Sequence, residues 1–269
     1  MRRLRTIPEA LDDAARSGQG YTFVVNGVET TRTYADLQQR AFGVARALRD
    51  QGLRRGDLVA LVIADAESFL TALFGASMAG LIPASLYPPT TIGDLSRYFG
   101  LTTAILRASG ARAVVATATL VAGFENARST CPDLALVLGR DALDGPPVEP
   151  DTLPTLDDFA FVQFTSGSTS APKGVALSHR NVAANVEAIN GPAGLETTSA
   201  DSAVSWLPLY HDMGLVGMAL GPLFAARPGI LLTPQAFVKR PAEWLKAISR
   251  YKATVSFAPN FAYDLAVRR

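Results

Sequence analysis

The sequence predicts an α/β fold with largely parallel sheets, and three observations carry that expectation. Short apolar runs at 58–63, 82–86, 113–116, 134–138, 159–164, 204–207 and 229–233 alternate with stretches of helical length, the pattern of repeated βα units. Several runs, 58–63 above all, are apolar without interruption, as strands covered on both faces are. At 269 residues and 48% hydrophobic content the chain can also bury a large core. No internal repeat is visible. One loose stretch, Asp144-Gly-Pro-Pro-Val-Glu-Pro-Asp151, breaks the alternation and marks the expected boundary between two α/β subdomains, 1–150 and 151–269.

Each element has a local reason. Thr6-Ile7-Pro8-Glu9 is a capping box that opens a short helix ending near Gly18. Residues 21–33 alternate like a hairpin that turns at Asn26-Gly27. Thr33 caps a helix with an apolar face of Leu37, Ala41, Val44 and Leu48, closed by Gly52. Helices from about Glu67 and over 94–109 precede the strands at 82–86 and 113–116, and an acidic, proline-rich stretch fills 140–158. After the strand at 159–164, a second short run at 175–177 leads to Ser178, an N-cap for a helix through Asn181, Val182, Val186 and Ile189. The strand at 204–207 is followed by an apolar helix over about 212–226, a strand at 229–233, a helix with Pro241 in its first turn and a strand at 255–258. A last helix opens at Pro259-Asn260-Phe261 and stops at Arg269 without a capping signal, so the sequence reads as truncated there.

Composition excludes several function classes. The formal charge is +1 with both signs spread along the chain, which gives no footprint for nucleic acid. The uncharged stretch 69–87 has the length of a membrane span, but Gly75, Gly80 and Pro83 interrupt it, so a buried helix running into a strand is expected. The N-terminal MRRLR lacks the apolar core of a signal peptide. A single cysteine, Cys131, allows no internal disulfide, fits a reducing cytoplasm and has no histidine near it in sequence. His179 and His211, with so few other ligands, make no zinc site, and no metal-ligating residue is assigned.

The chemistry concentrates in 159–181, FAFVQFTSGSTSAPKGVALSHRN. Between two apolar runs lie small and turn-forming residues and then Lys173. Glycine lets backbone N–H groups approach a phosphate, while Thr165, Ser166, Ser168 and Thr169 add hydroxyls and Lys173 adds a charge. No carboxylate occurs from 159 to 186 to repel a polyanion. The stretch is not a Walker loop, because Pro172 stands where a glycine N–H is needed and Gly174 where the metal-binding hydroxyl is needed. It is not a nucleophile elbow either, since Gly167 directly precedes Ser168. A surface Ser/Gly turn is the plain alternative, weakened by the flanking strands and the terminal lysine.

A second stretch, SWLPLYHDMGLVG at 205–217, places an imidazole and a carboxylate at a strand exit, where α/β sheets bind ligands. His211 and Asp212 read equally as a helix-start pair, Asp212 favoured by the helix dipole and His211 solvated. Met213, Leu215, Met218 and Leu220 at near-helical spacing read as core by default.

TSGSTSAPKG resembles the phosphate loop of the adenylate-forming superfamily, with Ser170 where the family usually has glycine. SWLPLYHDMGLVG is similar to the fatty acyl-AMP ligase form of that superfamily's second motif, and SLYPP at 85–89, AFVKRPAEWLKAISRY at 236–251 and SFAPNFAYDLAVRR at 256–269 resemble the same subfamily. The resemblance covers essentially the whole chain. It implies an adenylate-forming N-terminal domain of two α/β subdomains, cut before the rest of that domain and before the mobile C-terminal lid with its catalytic lysine. It further implies ATP-dependent activation of a fatty acid to acyl-adenylate with release of pyrophosphate, using Mg²⁺. The acyl group would pass to an acyl carrier protein or to a polyketide or peptide synthase carrier domain. Thr165, Ser166, Gly167, Ser168, Thr169, Lys173 and Gly174 would hold the phosphates, and His211 would be the catalytic residue beside the carboxylate. Trp206, Asp212, Met213, Gly214, Met218, Asn260 and Phe261 would line the acyl site, so that enlarging Gly214 or Gly217 is expected to shorten the accepted chain. An acyl-CoA synthetase shares every motif present, and a non-catalytic scaffold fragment is the reading from another class.

Overall fold

The structure, a computed structural model, describes residues 3–89, 95–165 and 173–268, with Thr165 described by its backbone alone. Thr6 starts α1 (Ile7–Ala15): its hydroxyl accepts from the Glu9 N–H at 3.2 Å, and the Glu9 carboxylate accepts from the Thr6 N–H at 2.7 Å. The two orphan donors of a helix N-terminus are thus satisfied reciprocally. Strands β1 (Gly20–Val25) and β2 (Val28–Thr33) form the expected hairpin, with Asn26 and Gly27 both in the left-handed region at φ 51° and 82°. Thr33 then caps α2 (Tyr34–Asp50), accepting from the Asp36 N–H at 3.0 Å. Strand β3 (Leu58–Val62), helix α3 (Ala66–Met78) and strand β4 (Ile82–Ser85) follow, and then helix α4 (Leu95–Ser109), strand β5 (Ala113–Ala116), helix α5 (Ala118–Ala127) and strand β6 (Leu136–Gly139). The third group is strand β7 (Phe159–Thr165), strand β8 (Lys173–Ser178), helix α6 (His179–Asn190) and strand β9 (Ala203–Ser205). A π-helix (Met213–Leu220) continues directly into α7 (Gly221–Ala225), and β10 (Gly229–Leu232), α8 (Pro234–Lys239), α9 (Ala242–Tyr251) and α10 (Asn260–Arg268) complete the chain.

These elements form two compact units, Met1–Gln38 with Arg180–Arg269, and Gln39–His179. The first holds a sheet of order β2-β1-β10-β9 and the second a sheet of order β6-β5-β3-β4-β7-β8. Every neighbouring pair is parallel except β1–β2 and β7–β8. In the second unit one sheet face buries Ala60, Val62, Val114 and Ala116 against Tyr98, Ile105 and Leu106 of α4 and Leu120 and Phe124 of α5. Tyr98, Phe99 and Phe124 meet edge to face at 5.1–6.4 Å, which suits the quadrupoles of their rings. In the first unit the core is aromatic, gathering Trp206, Phe237 and Trp244 with Met218 and Ala262.

Four expectations need correction. The division at 150 is replaced by breaks at 38 and 179, because β7 lies in register with β4 (Ala84↔Val162, Ser85↔Gln163) and β1 with β10. Helix α5 was not expected: Gly123 interrupts its pattern, and its N-cap Thr117 makes no side-chain hydrogen bond. That glycine is required, since a Cβ there would stand 2.0 Å from the Phe99 ring. The strand expected at 255–258 reduces to one parallel bridge, Ala203↔Val255. The helix expected over 212–226 is a π-helix followed by a short α-helix.

Candidate functional site

The site residues named from the sequence lie on both units, and each unit is described by itself. In the unit 39–179, β7 and β8 pair antiparallel from Phe159↔Ser178 to Thr165↔Lys173. Ser166, Gly167, Ser168 and Thr169 lie outside the described residues, but the ladder fixes where their stretch leaves and returns: at the carboxyl end of β7, beside an exposed Lys173. Carboxyl ends of parallel strands are where such sheets bind ligands. Gly174 has a packing reason for being glycine, because a Cβ there would stand 3.0 Å from both the Phe164 ring and a Val162 methyl.

Two residues of this region escaped the sequence reading. Ser85 and Gln163 are register partners on β4 and β7, and Ser85 Oγ and Gln163 Nε2 are both buried without a hydrogen-bond partner among the described residues. Their only signal in the sequence was a polar residue inside an otherwise apolar strand run.

In the other unit, β9 ends and the chain runs through Trp206 to a turn in which the His211 N–H donates to the Pro208 carbonyl at 3.2 Å. His211 Nδ1 lies 2.6 Å from Asp212 Oδ1, with side chains 64% and 70% exposed. The Met213 N–H also lies 3.4 Å from Nδ1 and donates to it. The same Asp212 oxygen accepts from the Met213 N–H at 2.7 Å and so caps the π-helix. The helix-start reading of this pair is thus realised, and it leaves Nε2 presented to solvent. Beside it, partial burial raises the Tyr210 phenol above its ordinary range, which keeps a neutral hydroxyl there.

Trp206 is 5% exposed, stacked on Phe237 with centroids 3.7 Å apart and edge-on to Trp244 and Phe261 at 6.3 Å each. Its Nε1 is buried and has no hydrogen-bond partner among the described residues. Met218 is fully buried in this cluster, whereas Met213 and Phe261 are exposed and Asn260 begins α10 at the surface. The structure therefore brings Trp206, Met218 and Phe261 together and sets His211, Asp212 and Met213 at the mouth of the same segment. Gly214 is a correction: a Cβ there would lie 2.2 Å from the Pro208 carbonyl oxygen, so the position serves close backbone packing and has no room to be enlarged. At Gly217 an added Cβ would make ordinary contact with the Phe257 ring at 3.4 Å, so the position admits a small side chain. Among the described residues no group of three His, Cys, Asp or Glu converges as a metal site.

The chain belongs to the AMP-binding enzyme family, whose pattern matches residues 11–268. It is 35% identical to a Caulobacter vibrioides protein assigned as an acyl-CoA synthetase, over 98% of this chain and 46% of that protein. It is likewise 35% identical to the long-chain-fatty-acid–AMP ligase FadD26 of Mycobacterium marinum, over 98% of this chain and 47% of the ligase. A solved structure from work on fatty acyl-adenylate ligases of E. coli and L. pneumophila superposes with a TM-score of 0.90 at 36% identity, covering 98% of this chain and 48% of that one. The chain spans about half the length of the curated relatives it matches.

Proposed function

We propose that this chain is the part of a fatty acyl-AMP ligase that grips the phosphates of ATP and the carboxyl end of a fatty acid. In that reaction a carboxylate oxygen bonds to the α-phosphorus, the bond from that phosphorus to the bridging oxygen breaks, and pyrophosphate leaves with the electron pair. The observation that supports the reading is the β7–β8 ladder, which pairs Thr165 with an exposed Lys173 at the two ends of the serine- and glycine-rich stretch, in a sequence with no carboxylate from 159 to 186. Backbone N–H groups, hydroxyls and one ammonium supply charge stabilisation and alignment, and no side-chain nucleophile is needed. His211 Nε2 is the polar contact for the carboxyl or the α-phosphate, and the wall past it, Gly217 included, takes the chain's methylenes. Among the described residues no cluster of metal-ligating side chains forms a Mg²⁺ site, and the metal would come with the triphosphate. A cytoplasmic setting fits the single, buried Cys131.

The acceptor is a carrier-protein thiol in this reading. CoA is the second reading, favoured by the assignment of the Caulobacter relative. Because half of each relative has no counterpart here, the 269-residue chain alone is expected to bind without turnover. Exchange of labelled pyrophosphate into ATP with dodecanoic or hexadecanoic acid tests this, on the chain and on the chain joined to the C-terminal half of the M. marinum ligase. Exchange by the joined protein alone is the expected result. A folded joined protein that exchanges with no fatty acid removes the assignment, and holo-carrier against CoA as acceptor then decides between the two readings.

A further inference from the structure

A helix that changes its hydrogen-bonding step leaves backbone groups unpaired at the change. In Met213–Leu220 the bonds close over five residues, as in the Gly221 N–H bond to the Val216 carbonyl, and Gly221–Ala225 resumes the four-residue step. Passing from one step to the other skips a carbonyl, and Pro222, having no N–H, withdraws another donor. Two side chains from distant parts of the same unit reach into this handover. The wholly buried Tyr21 donates its hydroxyl to the Ala219 carbonyl at 2.7 Å. Asn190 donates Nδ2 to the Gly221 carbonyl at 2.9 Å, its amide oriented by the Thr197 hydroxyl, which donates to Oδ1 at 3.0 Å. Tyr21 can lie this way because its ladder partner is Gly229, where a Cβ would stand 2.8 Å from its ring.

We propose that Tyr21 and Asn190 are positioning residues that hold Met213–Leu220 in its π conformation and so set which of its side chains face an acyl chain. A return to the four-residue step would turn Gly217 and Met218 toward other neighbours. The hold follows from geometry alone; its consequence for the substrate rests on the function proposed above.

The test substitutes Tyr21→Phe and Asn190→Ala, singly and together, in this chain. Amide exchange of residues 213–225 is expected to speed up on the order of tenfold for each bond removed, with exchange elsewhere and the unfolding midpoint little changed. A crystal structure of the double variant is expected to show the four-residue step. Unchanged exchange and an intact five-residue step in the folded double variant overturn the proposal. If Tyr21→Phe does not fold, the half-buried Asn190→Ala carries the same readout alone. In the joined protein, the ratio of kcat/KM for hexadecanoic over octanoic acid should change severalfold with KM for ATP unmoved, a split that general destabilisation does not produce. A lost π step with an unchanged ratio supports the hold and removes the acyl-wall part of the proposed function instead.

Discussion

The hairpins β1–β2 and β7–β8 each add one reversed edge strand to an otherwise parallel sheet, yet they turn in very different ways. In the first, Val25 pairs with Val28 across Asn26 and Gly27 alone. In the second, Thr165 pairs with Lys173 across residues 166–172, all of them small or proline. Reversing a chain takes two residues, as the first hairpin shows. Closing a seven-residue loop costs about 1 kcal/mol more than closing a two-residue one, and none of these residues has a large apolar side chain with which to offset it. The second hairpin thus has a longer connection than reversing the chain requires, at the carboxyl end of β7.

The strongest way to break that comparison is to give the second hairpin the first one's turn. Replacing 166–172 by Asn-Gly should leave the fold intact and the unfolding midpoint equal or higher, while binding of pyrophosphate, measured by calorimetry, disappears. Undiminished binding by the shortened hairpin would show that the long loop is not the phosphate site. A milder change alters the residue that re-enters the ladder, Val28 in one hairpin and Lys173 in the other. Lys173→Ala should weaken binding of ATP or pyrophosphate by about 1.5–3 kcal/mol, roughly ten- to a hundredfold, with little change in stability. Equal affinity in the variant would sink the role of the ammonium.

The same contrast explains what the sequence disclosed. Asn26-Gly27, the Thr6 capping box and the uninterrupted run at 58–63 are local signals: each names a backbone conformation or a burial state by itself, and the hairpin, the helix and the strand Leu58–Val62 formed there. TSGSTSAPKG is a local signal of the same kind, a composition that suits a phosphate, although residues 166–172 lie outside the described ones. What stayed hidden depends on partners far away in sequence. Nothing local to Ser85 or Gln163 announces that they sit side by side with polar atoms that have no partner among the described residues. The π step of Met213–Leu220 is bound by Tyr21, from the other end of the chain. The unit boundary was missed because pairing of β1 with β10 outweighs the proline-rich stretch at 144–151 as an organiser.

Glycines sharpen the comparison at a smaller scale. Gly27 sits at φ 82° with nothing within 4 Å of an added Cβ, so its constraint is conformational. Gly174 needs no such φ, and its constraint is the Phe164 ring and Val162 methyl 3.0 Å away. Asparagine tolerates the left-handed region, so Gly27→Asn should cost only a few tenths of a kcal/mol. Gly174→Asn, which overpacks, should cost about 1–3 kcal/mol. Denaturant midpoints measure both, and equal costs would mean that the two positions are constrained alike.

The smallest effect concerns the foot of the second hairpin, where Asp158 precedes β7. Its Oδ2 accepts from the Thr155 N–H at 2.6 Å, the Thr155 hydroxyl at 2.8 Å and the Arg55 guanidinium at 2.5 Å. The Thr155 N–H above all, then its hydroxyl and Arg55, hold this carboxyl below the usual carboxylate range. A folded-state value below the unfolded one means that the unfolded chain binds the proton more readily. The contribution to stability is therefore complete above the unfolded value, about 3.9, and is lost as the pH falls through the folded one. The pair is half-exposed and screened by salt, so the effect is a modest steepening of the fall in midpoint below about pH 4. Asp201, lowered mainly by the Thr198 N–H and then the Thr254 hydroxyl, adds a similar share in the other unit. Asp158→Asn should accordingly remove part of the acid slope and leave the rest. A midpoint-against-pH curve for that variant parallel to the unaltered one would show that the carboxylate does not tie the hairpin to Arg55 in solution.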